Sequence, residues 1–257
     1  MKTKTTPLVL PMLLLGLVLS GCQSAQEKIT GHDILFQYST LGSLMEGIYD
    51  GDMTYADIKQ RGDFGLGTFN ALDGEMIEID HQVYQIKADG IAYQVDDDMK
   101  APFAVVTHFD ADQTVKLQES VDFAQLKKRI DNFLPTENIP YAIKIAGLFS
   151  YVKTRSVPRQ EKPYPRLSAV VENQPLFEFQ EVKGVMVGFR LPDYMAVANA
   201  PGHHFHFITA ERNAGGHVLE CQVKNVEIAI DHTDQWHMNL PGDDAFYKAN
   251  MSGEVFK

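Results

Sequence analysis

Histidines are unevenly distributed in this 257-residue chain. Four of the nine lie close together, at His203, His204, His206 and His217. Alternate side chains of a β-strand share one face, so a strand here would present His204 and His206 together, with His203 on the opposite face. Residues 211–216 have the composition of a hairpin loop, which would return the chain antiparallel and bring His217 beside His206.

Three neutral imidazoles from two adjacent strands form one cap of a metal coordination sphere and leave positions open for water or substrate. We therefore predict that His204, His206 and His217 bind one divalent metal ion. Zinc is the metal expected first, although nickel, cobalt, iron and manganese compete for similar sites. The alternative is that these histidines are ordinary polar residues on a half-exposed strand.

The overall composition narrows the function classes. The chain is 44% hydrophobic and 22% charged, as is typical of a globular protein, and its formal net charge is −11. An excess of acidic residues argues against a nucleic-acid partner, since binding to phosphates needs a basic surface. Two cysteines are too few for a disulfide-rich scaffold or a multi-thiolate zinc module.

The N-terminus resembles a bacterial lipoprotein leader, which we assign to residues 1–21. A basic start precedes an apolar run from Leu8 to Leu19, which is too short to span a bilayer comfortably. The run ends in Leu19-Ser20-Gly21-Cys22, a lipobox-like sequence that predicts lipidation of Cys22. Residues 22–31 would form a tether. We expect an exported protein that contacts a membrane only through this anchor; the alternative is an ordinary signal peptide.

For the mature chain we expect an α/β fold of α+β character, built from two packed halves. Residues 32–155 would form a mixed sheet with helices, and residues 156–257 a mainly antiparallel sheet that carries the metal site. Locally, we expect a short helix opening at Phe36, a helix from Asp122 to Phe133, and a hairpin turn at Lys183-Gly184.

Several segments outside the histidine cluster give a closer match to a known family. With the HxH…GGH pattern, the chain resembles the α-acetolactate decarboxylases in three stretches, which are Ile34-Leu35-Phe36-Gln37-Tyr38-Ser39-Thr40-Leu41, Gly62-Asp63-Phe64-Gly65-Leu66-Gly67-Thr68-Phe69 and Leu72-Asp73-Gly74-Glu75-Met76. These stretches are specific in combination, and the resemblance extends over nearly all of the chain after the leader.

The resemblance implies a role for further residues. It implies the three histidines as metal ligands, Glu75 as an active-site glutamate and Arg155 as a substrate-facing arginine. Glu254 matches a glutamate that reaches back to the metal, and Thr68 is expected to line the same pocket. Enzymes of this family convert 2-acetolactate to acetoin and carbon dioxide, so we expect a carboxy-lyase with 2-acetolactate as its small-molecule substrate.

The chemistry suits these residue types. Loss of carbon dioxide needs an electron sink, and a metal that polarises the ketone and stabilises an enediolate provides one. Arg155 can bind the carboxylate, and Glu75 or Glu254 can supply the proton. The competing hypotheses are a non-catalytic zinc-binding lipoprotein that buffers or delivers metal, and a different metal enzyme such as a hydrolase. We further expect a homodimer.

Overall fold

Two β-sheets make up most of the structure, a computed structural model that describes Met1 and residues 33–251. Three of the predicted features therefore lie outside the described residues: the leader 1–21, the tether 22–31 with its lipidation site Cys22, and Glu254. Among the described residues, no helix is both long enough and apolar enough to cross a membrane.

The strands and helices of the described chain have the following bounds. The strands are β1 (Ile34–Tyr38), β2 (Met53–Thr54), β3 (Phe64–Thr68), β4 (Glu75–Ile79), β5 (Gln82–Ile86), β6 (Ala92–Gln94), β7 (Lys100–Ala101), β8 (Phe103–Thr107), β9 (Gln113–Leu117), β10 (Val121–Asp122), β11 (Tyr141–Arg155), β12 (Leu176–Leu191), β13 (Gly202–Thr209), β14 (Gly215–His232) and β15 (Gln235–Asn239). The α-helices are α1 (Leu41–Met45), α2 (Tyr55–Ile58), α3 (Phe123–Asp131), α4 (Leu167–Val171) and α5 (Asp244–Lys248).

The first sheet has seven strands in the order β15-β1-β8-β3-β4-β5-β6. All neighbours in it are antiparallel except β1 and β15, which run parallel. The second sheet is antiparallel and has the order β10-β14-β11-β12-β13, with β9 also paired to β14. Because β13 pairs with the start of β14 as well as with β12, strands β11 to β14 form a closed cycle.

The two sheets pack face to face over a shared apolar core. This core takes side chains from both sheets, among them Leu66, Ile77 and Val105 from the first and Val187, Phe189 and Ile208 from the second. A second cluster lies on the other face of the second sheet and includes Leu126 and Ile130 of α3. Burying apolar faces on both sides of a sheet is the main source of stability in such layered folds.

The mixed α/β architecture agrees with the sequence prediction, but the sheets do not divide at residues 155 and 156. Strand β11, expected in the first half, is instead a central strand of the second sheet, and β9 and β10 belong to that sheet too. Conversely, β15 near the C-terminus joins the first sheet beside β1. The reason is that β11 pairs along its whole length with the two long strands β12 and β14.

Two local predictions were also wrong. Phe36 lies in β1 and pairs with Val106 of β8, so the expected helix begins only at Leu41, after Ser39 adopts a positive φ of 66°. Gly184 makes no hairpin turn, since β12 runs straight through it. A Cβ at Gly184 would lie 2.4 Å from the Phe207 ring, so the glycine permits close packing of β12 on β13.

The helix predicted at Asp122 is confirmed and is α3. Asp122 caps it by accepting a hydrogen bond from the backbone N–H of Gln125, and the Gln125 side chain accepts one from the backbone N–H of Asp122. This reciprocal capping box satisfies two N–H groups that the helix itself leaves free. The helix ends at Asp131 rather than at the predicted Phe133.

The first sheet contains one buried carboxyl group that makes no hydrogen bond, that of Glu78. Glu78 is fully buried, and neither of its carboxyl oxygens has a hydrogen-bond partner. Burial, reinforced by the charge of Asp63 and opposed by Lys59, raises the pKa of Glu78 to about 8. Because this folded-state pKa lies above the unfolded value, the group makes folding less favourable as pH rises from about 4.5 to about 8.

We therefore expect Glu78→Gln to be more stable than the parent protein at pH 8. The expected gain in the free energy of unfolding is a few kcal/mol, because each unit by which the pKa is raised corresponds to about 1.4 kcal/mol. The free energy of unfolding, measured in urea between pH 5 and pH 9, should fall less steeply with pH in the variant. The exposed Glu211 provides a matched control, since Glu211→Gln should leave the slope unchanged. Equal slopes in Glu78→Gln and parent protein would contradict the prediction.

Candidate active site

A cavity lies between the two sheets and encloses about 480 Å³ of space not filled by atoms, part of it open to solvent. Residues of the first sheet and α1 line it together with residues of β11, β13, β14 and α4. Its polar lining residues are Thr68, Glu75, Arg155, His204, His206 and His217, and its apolar ones are Leu41, Leu44, Leu66, Leu72, Phe103, Val157 and Leu167. The cavity therefore combines an apolar wall with a compact polar cluster, as small-molecule sites do.

The three predicted histidine ligands meet in this cavity. His206 of β13 is the direct cross-strand partner of His217 on β14, as the hairpin argument predicts. His204 lies two residues before His206 on the same face, with its ring centroid 4.8 Å from that of His217 and 5.1 Å from that of His206. One ligand nitrogen from each residue lies within 4.8 Å of the others. His203 faces the opposite side and contacts Asp131.

The hydrogen bonding of His206 fixes its tautomer. Its Nδ1 lies 2.7 Å from the backbone carbonyl oxygen of Met76, and a carbonyl oxygen can only accept, so Nδ1 carries the proton. The lone pair is then on Nε2, which lies 3.5 Å from Oε2 of Glu75. A carbonyl that orients a histidine in this way is a common companion of metal ligands.

Burial keeps all three imidazoles in the neutral form. It lowers the pKa of His204 to about 4 and the pKa values of His206 and His217 well below their ordinary range, and the positive charge of Arg155 lowers all three further. Neutral imidazole is the form that binds a metal. The three nitrogen donors, the tautomer of His206 and the neutral charge state thus fit a divalent ion of the type that accepts nitrogen ligands.

Gly216 explains how His217 reaches the cluster. Its φ of +140° lies in the region that glycine adopts readily, and a Cβ there would lie 2.4 Å from the backbone oxygen of Arg155. Only a residue without a side chain lets the start of β14 approach the end of β11 so closely. This contact brings Arg155, the last residue of β11, into register with His217.

Glu75 enters the cavity from the first sheet. It is the first residue of β4, pairs with Thr68 of β3 and is buried. Its Oε2 lies 3.5 Å from Nε2 of His206. Burial raises the pKa of Glu75 to about 7, although the positive charge of Arg155 opposes the shift. A carboxyl group with such a pKa is protonated in part at neutral pH and is able to donate a proton.

Arg155 enters from the second sheet, and its guanidinium is bound on one side only. One terminal N–H donates a hydrogen bond of 2.6 Å to Oε1 of Gln174, while the buried Nε has no partner. Thr68 also lines the cavity, as predicted, but its hydroxyl donates to the backbone oxygen of Gly74 at 2.6 Å. Thr68 therefore supports the turn before Glu75.

The structure thus brings together six of the predicted residues and adds others that the sequence did not indicate. Leu41, Leu66 and Leu72 of the apolar wall lie in the stretches that resemble the family, but the sequence did not indicate that they line the cavity. Gln174 belongs to no recognisable motif. Arg155 and Glu75 line the same cavity as the histidines, and a zinc-binding lipoprotein that only buffers or delivers metal would need neither residue. That alternative gains no support from this cavity.

Comparison with known proteins then decides the family. A family model described as alpha-acetolactate decarboxylase matches residues 35–253. The chain belongs to the alpha-acetolactate decarboxylase family. This membership confirms the resemblance seen in the sequence. It also places the protein among the carboxy-lyases.

Individual members of the family cover most of the chain. The alpha-acetolactate decarboxylase of Methanosarcina mazei is 49% identical over 219 residues, which is 85% of this chain and 76% of that protein. The one from Methylococcus capsulatus is 46% identical over 86% of this chain and 85% of its own length. The crystal structure of the Bacillus subtilis alpha-acetolactate decarboxylase superposes with a TM-score of 0.84 at 40% identity, covering 86% and 94% of the two chains. The mixed α/β fold is thereby confirmed.

Proposed function

We propose that this protein decarboxylates 2-acetolactate to acetoin and carbon dioxide with the help of a divalent metal, zinc in the first instance. The observation that carries the proposal is a single cavity in which three neutral histidines, the cation of Arg155 and the carboxyl group of Glu75 converge. The names of the relatives support the same substrate.

His204, His206 and His217 would hold the metal, since their nitrogens lie close enough to share one ion and none carries charge. When bound, such a metal supplies the Lewis acidity that accepts the electron pair left behind as carbon dioxide departs. The three histidines add no negative charge, so they preserve that acidity.

Arg155 would bind the carboxylate of the substrate. Its buried Nε has no partner, and an N–H donor left unsatisfied in a protein interior is costly unless a ligand occupies it. A carboxylate fits the planar guanidinium and its several donors. Binding there would direct the scissile carbon–carbon bond toward the histidine cluster and away from the apolar wall.

Glu75 would deliver the proton that completes the reaction. The bond to the carboxylate breaks, its electron pair stays on the substrate, and the carbon that lost carbon dioxide takes up a proton to give acetoin. Glu75 lies beside His206 and is protonated in part at neutral pH, because burial raises its pKa to about 7. A proton delivered from one side of the cavity would reach one face of the carbon and set its configuration.

We propose a part for Glu254 in the same cavity. The supporting contact is that of Met251, whose sulfur lies 3.9 Å from the hydroxyl of Thr40, the N-cap of α1. Helix α1 contributes Leu41 and Leu44 to the cavity wall. Three further residues can extend the chain by at most about 10 Å beyond Met251. The measurement that tests it is the turnover of Glu254→Gln, compared below with that of Glu75→Gln.

Acetoin formation from racemic 2-acetolactate by metal-loaded protein lacking residues 1–21 is the direct test. We expect acetoin and carbon dioxide in equal amounts, and activity that disappears on chelation and returns with added zinc. Arg155→Ala should lose most of this activity while keeping its metal. Tight metal binding without acetoin formation would instead favour the zinc-binding lipoprotein.

We also propose that the protein is exported and anchored by a lipid on Cys22, so that the anchor is its membrane contact. The lipobox-like end of the leader supports this. A fatty-acid analogue fed to cells should label the parent protein but not Cys22→Ser. The matched control is the other cysteine, Cys221, which is buried, and Cys221→Ser should keep the label. Equal labelling of all three proteins would show that the lipobox interpretation is wrong.

We propose that the protein forms a homodimer and that it has no nucleic-acid partner. Strand β15 is at the edge of the first sheet and, with the residue after it, exposes Trp236, Met238 and Leu240. An uncovered edge strand with exposed apolar side chains favours association. Light scattering of protein lacking residues 1–21 should give twice the mass of one such chain. The mass of a single chain at micromolar concentration would contradict the dimer.

A further inference from the structure

The guanidinium of Arg155 is held by a neutral hydrogen-bond partner. Its one hydrogen bond within the described chain goes to Gln174, a neutral amide, and its Nε has no partner. An amide oxygen satisfies one donor without cancelling the charge, whereas a carboxylate would take two donors and neutralise it. The hydrogen bond to Gln174 therefore does not neutralise the guanidinium.

Gln174 itself is placed by the backbone around it. It lies in the short connection between α4 and β12, two residues before Leu176, which is the cross-strand partner of Arg155. The next residue, Pro175, accepts a hydrogen bond of 3.2 Å from the backbone N–H of Ser156. The connection is thus tied to the residue after Arg155, and this holds the Gln174 side chain against the guanidinium. Gln174 does not line the cavity and acts from behind it.

We propose that Gln174 is the positioning residue of the anion site. It orients the Arg155 guanidinium toward the cavity and, because it is neutral, it leaves the charge of that guanidinium available for the carboxylate of the substrate. The inference rests on the role of Arg155 in the proposed function. It predicts that the charge of residue 174, which does not touch the substrate, determines how well an anion binds and has little influence on a neutral ligand.

Three variants separate the two parts of this role. Gln174→Glu keeps the shape and adds the charge that would compete with the substrate, and Gln174→Met removes the acceptor without adding charge. Asn173→Asp is the matched control, since it makes the same change from amide to carboxylate on the exposed neighbour of Gln174. Circular dichroism and metal content are measured on each full-length, metal-loaded protein. Should Gln174→Glu fail to fold, Gln174→Met carries the test.

Two ligands serve as probes of the site by calorimetry. One is 2-hydroxyisobutyrate, a tertiary 2-hydroxy acid that has the carboxylate of the substrate but no ketone and is not decarboxylated. The other is acetoin, which is neutral. For Gln174→Glu we expect the affinity for 2-hydroxyisobutyrate to fall roughly tenfold to a hundredfold, the range for hydrogen bonds to charged groups, and the affinity for acetoin to stay within about twofold.

Steady-state kinetics should show the same division. In Gln174→Glu, KM for 2-acetolactate should rise by about tenfold or more, with a much smaller fall in kcat. Gln174→Met should weaken binding of 2-hydroxyisobutyrate by about threefold to tenfold, because only the orientation of the guanidinium is lost. A merely structural role would instead weaken both ligands alike and lower metal content, and that result would overturn the inference.

Arg155→Ala distinguishes failure of this inference from failure of the proposed function. If Arg155→Ala loses the affinity for 2-hydroxyisobutyrate while both Gln174 variants bind it as tightly as Asn173→Asp does, the role of Gln174 is wrong and that of Arg155 stands. If Arg155→Ala binds it as tightly as the parent protein, Arg155 is not the anion site, and both proposals fail together.

Discussion

His206→Ala is expected to lose most of the bound metal and nearly all acetoin formation. His206, one of the three proposed ligands, has a fixed geometry, because its Nδ1 donates to the backbone oxygen of Met76 and its strand position pairs it with His217. Two imidazoles would remain, and two rarely hold a metal that must also keep open positions. Loss of a group that only orients a ligand commonly costs about 10–100-fold in metal affinity, so loss of the ligand itself should cost more.

The control for this experiment lies on the same strand. His203→Ala removes an imidazole from the opposite face of β13, where it contacts Asp131 and stacks on Phe205. That variant should keep a full complement of metal even if it is less stable. The metal content per chain, measured by elemental analysis after dialysis, should therefore be low in His206→Ala and unchanged in His203→Ala. Full occupancy in His206→Ala protein would mean that the histidine cluster is not the metal site.

The histidine cluster could be predicted because its determinants are local. The two-residue period of a strand brings His204 and His206 to one face, and a hairpin of a few residues adds His217. Both rules act over a span of fourteen residues, from position 204 to 217, so no knowledge of the rest of the fold was needed. The same locality explains why the capping box at Asp122 could be predicted from the sequence.

Arg155 and Glu75 could not be found in that way. They lie on β11 and β4, in different sheets, and meet the histidines only because those sheets pack together. Without the family resemblance, nothing in the sequence around either residue distinguishes it from a surface charge. Gln174 is even harder to predict, since a single neutral residue in the connection between α4 and β12 belongs to no sequence pattern.

The division of the sheets shows the same limit. The apolar run of β11 indicates a buried strand, but hydrophobicity does not say which neighbours the strand takes. Its partners β12 and β14 follow it in the sequence, while β15 returns to pair with β1 from the other end of the described chain. Pairings over such separations are decided by the packing of the whole molecule and not by the residues of one strand.

Glu75→Gln is expected to keep its metal and its substrate affinity but to lose turnover by about 10²–10⁴-fold, the usual effect of removing a general acid or base. Glutamine has nearly the same shape as glutamic acid, so neither the cavity nor the contact with His206 should open to water. What disappears is the proton, because the amide cannot transfer one at neutral pH. An effect confined to kcat, with KM almost unchanged, would identify a step after binding.

Two comparisons make the interpretation specific. Glu78→Gln alters the same strand, at an equally buried site on the opposite face, and should turn over at the rate of the parent protein. Glu254→Gln tests the second candidate for the proton donor. If Glu254 instead helps to hold the metal, its variant should lose metal content and turnover together, whereas Glu75→Gln should lose turnover alone.

The ratio of products in Glu75→Gln adds a second measurement that does not depend on rate. If Glu75 delivers the proton from one side of the cavity, acetoin that still forms slowly in the variant must take its proton from solvent, which can reach either face of the carbon. The acetoin from the variant should then approach an equal mixture of its two enantiomers, as measured by chiral gas chromatography. The parent protein should give mainly one enantiomer. A variant with undiminished turnover and unchanged stereochemistry would show that Glu75 is not the proton donor, and would leave Glu254 as the group to examine.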